Sequence, residues 1–72
     1  MAVEVGQVYR SCKPRDMGFR IRIVEVGEVT VRAVSASNGR PLLNRVRIRN
    51  LHQSPITQTG RRRTAGYVLS RP

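Results

Sequence analysis

Three arginines at alternate positions, Arg45, Arg47 and Arg49, carry the most pointed chemistry in this sequence. On an extended strand, alternate residues leave one face, with Cβ atoms about 6.6–7 Å apart. That spacing is close to the step between successive phosphates along a nucleic-acid strand. The same alternation places Arg32 on a neighbouring strand, and Arg20 and Arg22 on another, where they would share that face. Six guanidinium groups on one surface would form an electrostatic footprint for a polyanion. A second group, Arg61, Arg62 and Arg63, lies between Gly60 and Thr64 in a polar stretch. Three consecutive arginines repel one another without a counter-charge. They suit an arm that tracks phosphates or enters a minor groove, whose negative potential attracts Arg, and such an arm is expected to become ordered on DNA.

Catalytic constellations are thin by comparison. Nucleophilic catalysis needs a nucleophile, a base and an orienting group, and the chain offers one cysteine, Cys12, and one histidine, His52. Carboxylate pairs would have to come from Asp16, Glu25 and Glu28, and Glu25 and Glu28 flank a turn where exposed acids are ordinary. No glycine-rich phosphate loop precedes a helix. The expectation is a protein that is not an enzyme, with no cofactor and no metal site. A lone cysteine makes neither an intramolecular disulfide nor a zinc cage, and it points to a reducing, cytoplasmic location.

The charge balance narrows the partner. The chain of 72 residues carries a net charge of +10, with thirteen Arg and one Lys. All four acids fall in the first 28 residues, which are nearly neutral, whereas residues 29–72 hold nine Arg and no acid. Such asymmetry points to a polyanionic partner: DNA, RNA or an anionic membrane surface. Bidentate contact with phosphate or guanine is chemistry that Arg performs and Lys does not. The neutral portion is expected to face away from that partner, or toward a second one. No apolar run is long enough to span a membrane, no amphipathic helix with an apolar face is visible, and Met1 to Glu4 show no basic leader.

Period-2 alternation governs the rest of the chain. Ten Val and four Ile favour strands over disorder. Five strands are expected, over about residues 5–11, 19–26, 29–35, 44–49 and 66–70. A bulge is expected near Ile23 and Val24, where alternation breaks and resumes. Gly27-Glu28 reads as a tight turn, 36–40 as a loop built on Asn38-Gly39, Asn50 to His52 as a single turn, and 53–66 as a long exposed basic arm. The expected inward set is Val5 or Val8, Phe19, Ile21, Ile23, Val26, Val29, Val31, Val46, Ile48, Leu51, Val68 and Tyr67. Tyr9 is expected to close that core with its hydroxyl outward. Five short strands cannot make two full sheets, but they can curl into one barrel spanning residues 1–72.

The order of strand, long loop, strand, tight turn, strand, loop, strand, single helical turn and strand resembles a five-stranded SH3-like small barrel, all-β, with a long basic loop before the last strand. Gly6, Val8, Gly18, Ile21, Val24, Val26, Val29 and Val31 resemble the pattern of KOW-type nucleic-acid-binding barrels over about residues 5–34. Gly6-x-x-Tyr9, Pro14-Arg15-Asp16 and Gly66-Tyr67-Val68-Leu69 are also similar to small proteins of actinobacteria and their phages. The first resemblance implies nucleic-acid binding and allows RNA or the ribosome as the target. The second carries no established activity and supports the fold; a phage- or prophage-encoded regulator, nucleoid-associated or acting in the host cytoplasm, with transcription regulation as its context, is the expected setting. With only Tyr9, Phe19 and Tyr67 as aromatics, stacking on single strands is disfavoured, so double-stranded DNA is the expected partner, bound with modest sequence preference. An acidic host protein is the alternative. A homodimer formed by edge pairing is also compatible with the sequence.

Overall fold

A computed structural model describes residues 3–71. The readings made on Met1, Ala2 and Pro72 lie outside the described residues. Six strands form one sheet: β1 (Val8–Ser11), β2 (Arg20–Val26), β3 (Thr30–Ser35), β4 (Val46–Arg47), β5 (Leu51–His52) and β6 (Tyr67–Arg71). Their spatial order is β4-β3-β2-β1-β6-β5. The two outermost strands, β4 and β5, are consecutive in the chain and are joined by a 3-10 turn at Ile48–Asn50. The sheet therefore curls into a nearly closed all-β small barrel. Its outermost strands are only two residues long, which leaves little unpaired edge.

Alternation explains the long strands. In β2, Ile21 and Ile23 are fully buried while Arg20 and Arg22 are exposed, and in β3 Val31 and Ala33 are buried around an exposed Arg32. The β2–β3 ladder shifts between Ile23 and Glu25, the bulge expected from the break in alternation. The β2–β3 turn closes with Gly27 N–H donating to Thr30 O at 2.9 Å. At Asn38-Gly39, Gly39 takes φ +73° and Asn38 Oδ1 accepts from the Arg40 N–H at 2.9 Å.

The core consists of Tyr9, Ile21, Ile23, Val31, Ala33 and Leu51, with Leu42, Val46, Ile48, Tyr67 and Leu69 packed against it. Of the pair Val5 or Val8 it is Val8 that is buried, and three residues of the expected inward set, Phe19, Val26 and Val29, lie elsewhere. Val5 is 63% exposed, Val29 68%, Phe19 38% and Val26 38%. Val5 and Val29 stand in turns, Phe19 precedes β2, and Val26 ends it, so none of them meets a second layer. Tyr9 replaces them. Its ring is wholly buried, and its hydroxyl donates inside the protein to Gln7 Oε1 at 3.0 Å. The same oxygen accepts the Glu4 N–H at 2.9 Å. A buried acceptor lets a phenol enter a core completely. Burial raises the Tyr9 pKa above its ordinary value, against a smaller lowering by the Gln53 side chain.

Two further expectations are corrected. The fourth strand does not run to Arg49 but ends at Arg47, and the helical turn falls at Ile48–Asn50, with Leu51–His52 forming a strand of its own. The reason is closure. The chain must leave β3 and reach β6, and Ile48 N–H donating to Val29 O at 2.8 Å starts that bend. Among the described residues no helix is long and apolar enough to cross a membrane.

Candidate nucleic-acid interface

The barrel carries its arginines outward. Arg20 pairs with Arg10 across β1 and β2, and Arg22 pairs with Val34 across β2 and β3. Arg47 lies opposite Thr30 on the β3–β4 ladder. Arg45 directly precedes β4, and Arg49 belongs to the 3-10 turn. All six expected face residues, Arg20, Arg22, Arg32, Arg45, Arg47 and Arg49, are exposed. The even row of Arg45, Arg47 and Arg49 along one strand is not formed, because only Arg47 is in a strand.

An acid also enters this face. The bulge in β2 sets Glu25 opposite Arg32. Glu25 Oε1 then stands 3.9 Å from Arg32 Nε and 3.8 Å from Arg45 Nη2. These separations exceed those of charge-assisted hydrogen bonds, and the three side chains are largely exposed, so each pair contributes at most about 1 kcal/mol. The neutral first portion thus does not simply face away from the basic one. Glu25→Gln is expected to tighten polyanion binding while shifting unfolding stability by less than about 1 kcal/mol. Parallel DNA titrations and denaturant melts of the two proteins check this.

The arm is a small hairpin rather than an open loop. Ile56 and Arg62 form an antiparallel bridge. Thr57 N–H donates to Arg61 O at 2.7 Å, Gly60 N–H to Thr57 O at 3.0 Å, and Arg63 N–H to Pro55 O at 2.8 Å. The three arginines are not equivalent. Arg61 and Arg62 are exposed, whereas Arg63 is half-buried and its Nε donates to Ser54 O at 2.9 Å. At the root, Gly66 adopts φ +76° with Asn50 O and the His52 ring directly beside it.

His52 lines a depression on one flank of this hairpin with Asn50, Thr57, Thr59 and Arg61 to Gly66. Cys12 lines a second depression, which shares Arg62 to Thr64 with the first. Burial, and secondarily the positive charge of Arg63, lower the His52 pKa below its ordinary value. The folded protein then resists protonating His52, so this contribution to stability is full above about pH 6.5 and is lost as the pH falls through the lowered value. The thermal midpoint is expected to drop on acidification from pH 7 to pH 5, and His52→Asn to remove that part of the drop, as scanning calorimetry would show.

Among the described residues only Arg32 and Arg45 have a carboxylate within 4.0 Å, which leaves eleven arginines without one. No group of His, Cys, Asp or Glu suited to holding a metal ion is present among them. Tyr9 is sealed in the core, and Tyr67 is half-buried, its pKa raised by burial and then by Asp16. Comparison with protein-family models, with curated proteins and with solved structures gives no match for this chain.

Proposed function

We propose that this protein binds nucleic acid through backbone phosphates, with double-stranded DNA as its favoured form. The observation that carries the reading is the set of exposed or half-exposed arginines that have no carboxylate within 4.0 Å among the described residues, Arg20, Arg22, Arg47, Arg49, Arg61, Arg62 and Arg63 foremost, on a surface where a neutral-partner protein would mix both signs. Phosphate neutralisation releases condensed counterions and supplies affinity with little sequence information. Arg61 and Arg62 on the hairpin add contacts in a groove. The burial of Tyr9 removes one of the few stacking platforms, which favours a duplex over a single strand.

A salt titration tests the reading. With five to seven phosphates neutralised, log K should fall against log salt with a slope of roughly −4.5 to −6. The variant Arg61→Ala/Arg62→Ala should lower that slope by about 2 while leaving the melt unchanged. A flat response of the wild type would overturn the proposal. Tighter binding to structured RNA than to duplex at equal salt would move the target to RNA. A stoichiometric protein complex that survives nuclease would favour an acidic protein partner.

A further inference from the structure

The sequence gives no prominence to Arg10 or Lys13, which sit in its nearly neutral portion. The topology brings them to the arm. β1 pairs with β6, and Cys12 N–H donates to Gly66 O at 2.9 Å, fastening the first loop to the root of the hairpin. A depression of about 340 Å³ opens between the two. One wall is Arg10 and the loop through Lys13; the other is Pro55 and Arg62 to Thr64. Four cations line it and, among the described residues, no carboxylate does.

We infer that this depression is a preformed seat for a phosphate group of a nucleic-acid strand, held by Arg10, Lys13, Arg62 and Arg63. The inference rests on the proposed function and gives it a specific place. Both walls are built before any ligand arrives. Ser11 Oγ donates to Asp16 Oδ2 at 2.5 Å and accepts the Lys13 N–H at 3.2 Å, which shapes the loop and holds the Asp16 carboxylate behind this wall, outside the lining of the depression. The Arg10 stem runs past Gly18, with Cδ 3.9 Å from where a Cβ would stand. Across the depression, Ser54 O takes only the Nε donor of Arg63, leaving its remaining guanidinium N–H groups to an incoming oxyanion. Pre-ordered donors lose less entropy on binding, and a bound anion relieves the mutual repulsion of four cations. The volume sits at the lower end of ligand-sized clefts. Arg10 pairs with Arg20 on the outer face, so the seat continues into the β2 arginines, as a chain of successive phosphates requires and a single carboxylate does not.

The test compares Arg10→Gln/Lys13→Gln with the charge-matched control Arg40→Gln/Arg71→Gln, which lies away from the depression. All four residues are exposed, so both variants should melt like the wild type. The seat variant is expected to lower the salt slope for duplex DNA by about 2 and the affinity at 0.1 M salt by tenfold or more, with the control changing the slope by less than 1. Inorganic pyrophosphate should raise the thermal midpoint of the wild type and the control but not of the seat variant. Restoring only the charge, with Arg10→Lys/Lys13→Arg, should recover most of the slope. Equal slopes for seat and control variants, on a wild type that binds DNA steeply, would overturn the seat and leave the proposed function standing. A wild type with no salt-dependent DNA binding would overturn the proposed function and with it the nucleic-acid assignment of the seat. Stronger stabilisation by a poly-aspartate peptide than by pyrophosphate would overturn the choice of phosphate.

Discussion

Gly66→Ala is expected to destabilise the protein by about 2–4 kcal/mol, a fall in thermal midpoint of about 8 °C or more for a chain of this size. Two effects add. The backbone at Gly66 has φ +76°, a left-handed conformation that costs a residue with a Cβ about 1–2 kcal/mol. The new Cβ would also lie 2.8 Å from Asn50 O and 3.2–3.3 Å from the His52 ring. The first of these is backbone in the turn that closes the barrel, so it cannot simply rotate away. Gly39→Ala supplies the comparison. Gly39 has nearly the same φ, +73°, with nothing within 4 Å of the added atom, so it should lose only the conformational part. Thermal melts by circular dichroism read both. Equal midpoints for the two variants would show that the close approach at Asn50 is not a constraint.

Ile21→Ala should be comparably severe, at about 2–5 kcal/mol. Ile21 is wholly buried and belongs to the central cluster with Tyr9, Ile23 and Val31. A chain of this size holds only about 4–11 kcal/mol of net stability, so the substitution takes a large part of it. Leu43→Ala, at a side chain fully exposed in the β3–β4 connection, should move the urea midpoint hardly at all. A drop of less than about 1 kcal/mol for Ile21→Ala would mean that the cluster repacks around the cavity.

Features encoded within one strand or one turn were legible in the sequence. The bulge in β2 follows from two adjacent apolar residues, Ile23 and Val24, in an alternating run, and the Asn38-Gly39 turn follows from backbone chemistry. Features set by distant partners were not. Arg45 to Arg49 alternates like a strand, yet the need to close the barrel bends it after Arg47. The phase shift at the bulge carries Glu25 onto the face of Arg32 and Arg45, which no local pattern reveals. Tyr9 enters the core because Gln7 accepts its hydroxyl there. All nine arginines singled out from the sequence are on the surface or half-buried. Nothing local marks Arg10 and Lys13, because their neighbourhood depends on β1 meeting β6 and on the hairpin meeting the first loop.

The pairing of β5 with β6 is parallel, Leu51 opposite Tyr67 and His52 opposite Val68. Antiparallel strands can be joined by two residues, but parallel neighbours need a connection of about a dozen or more. The hairpin between His52 and Tyr67 is therefore a topological requirement before it is a binding device. Its length has a floor and almost no ceiling, since each doubling of a flexible connection adds only about 0.6 kcal/mol of closure entropy. Variation in this lineage should then accumulate at the hairpin tip, around Thr57 to Arg61, where residues can be gained while the barrel stays as it is.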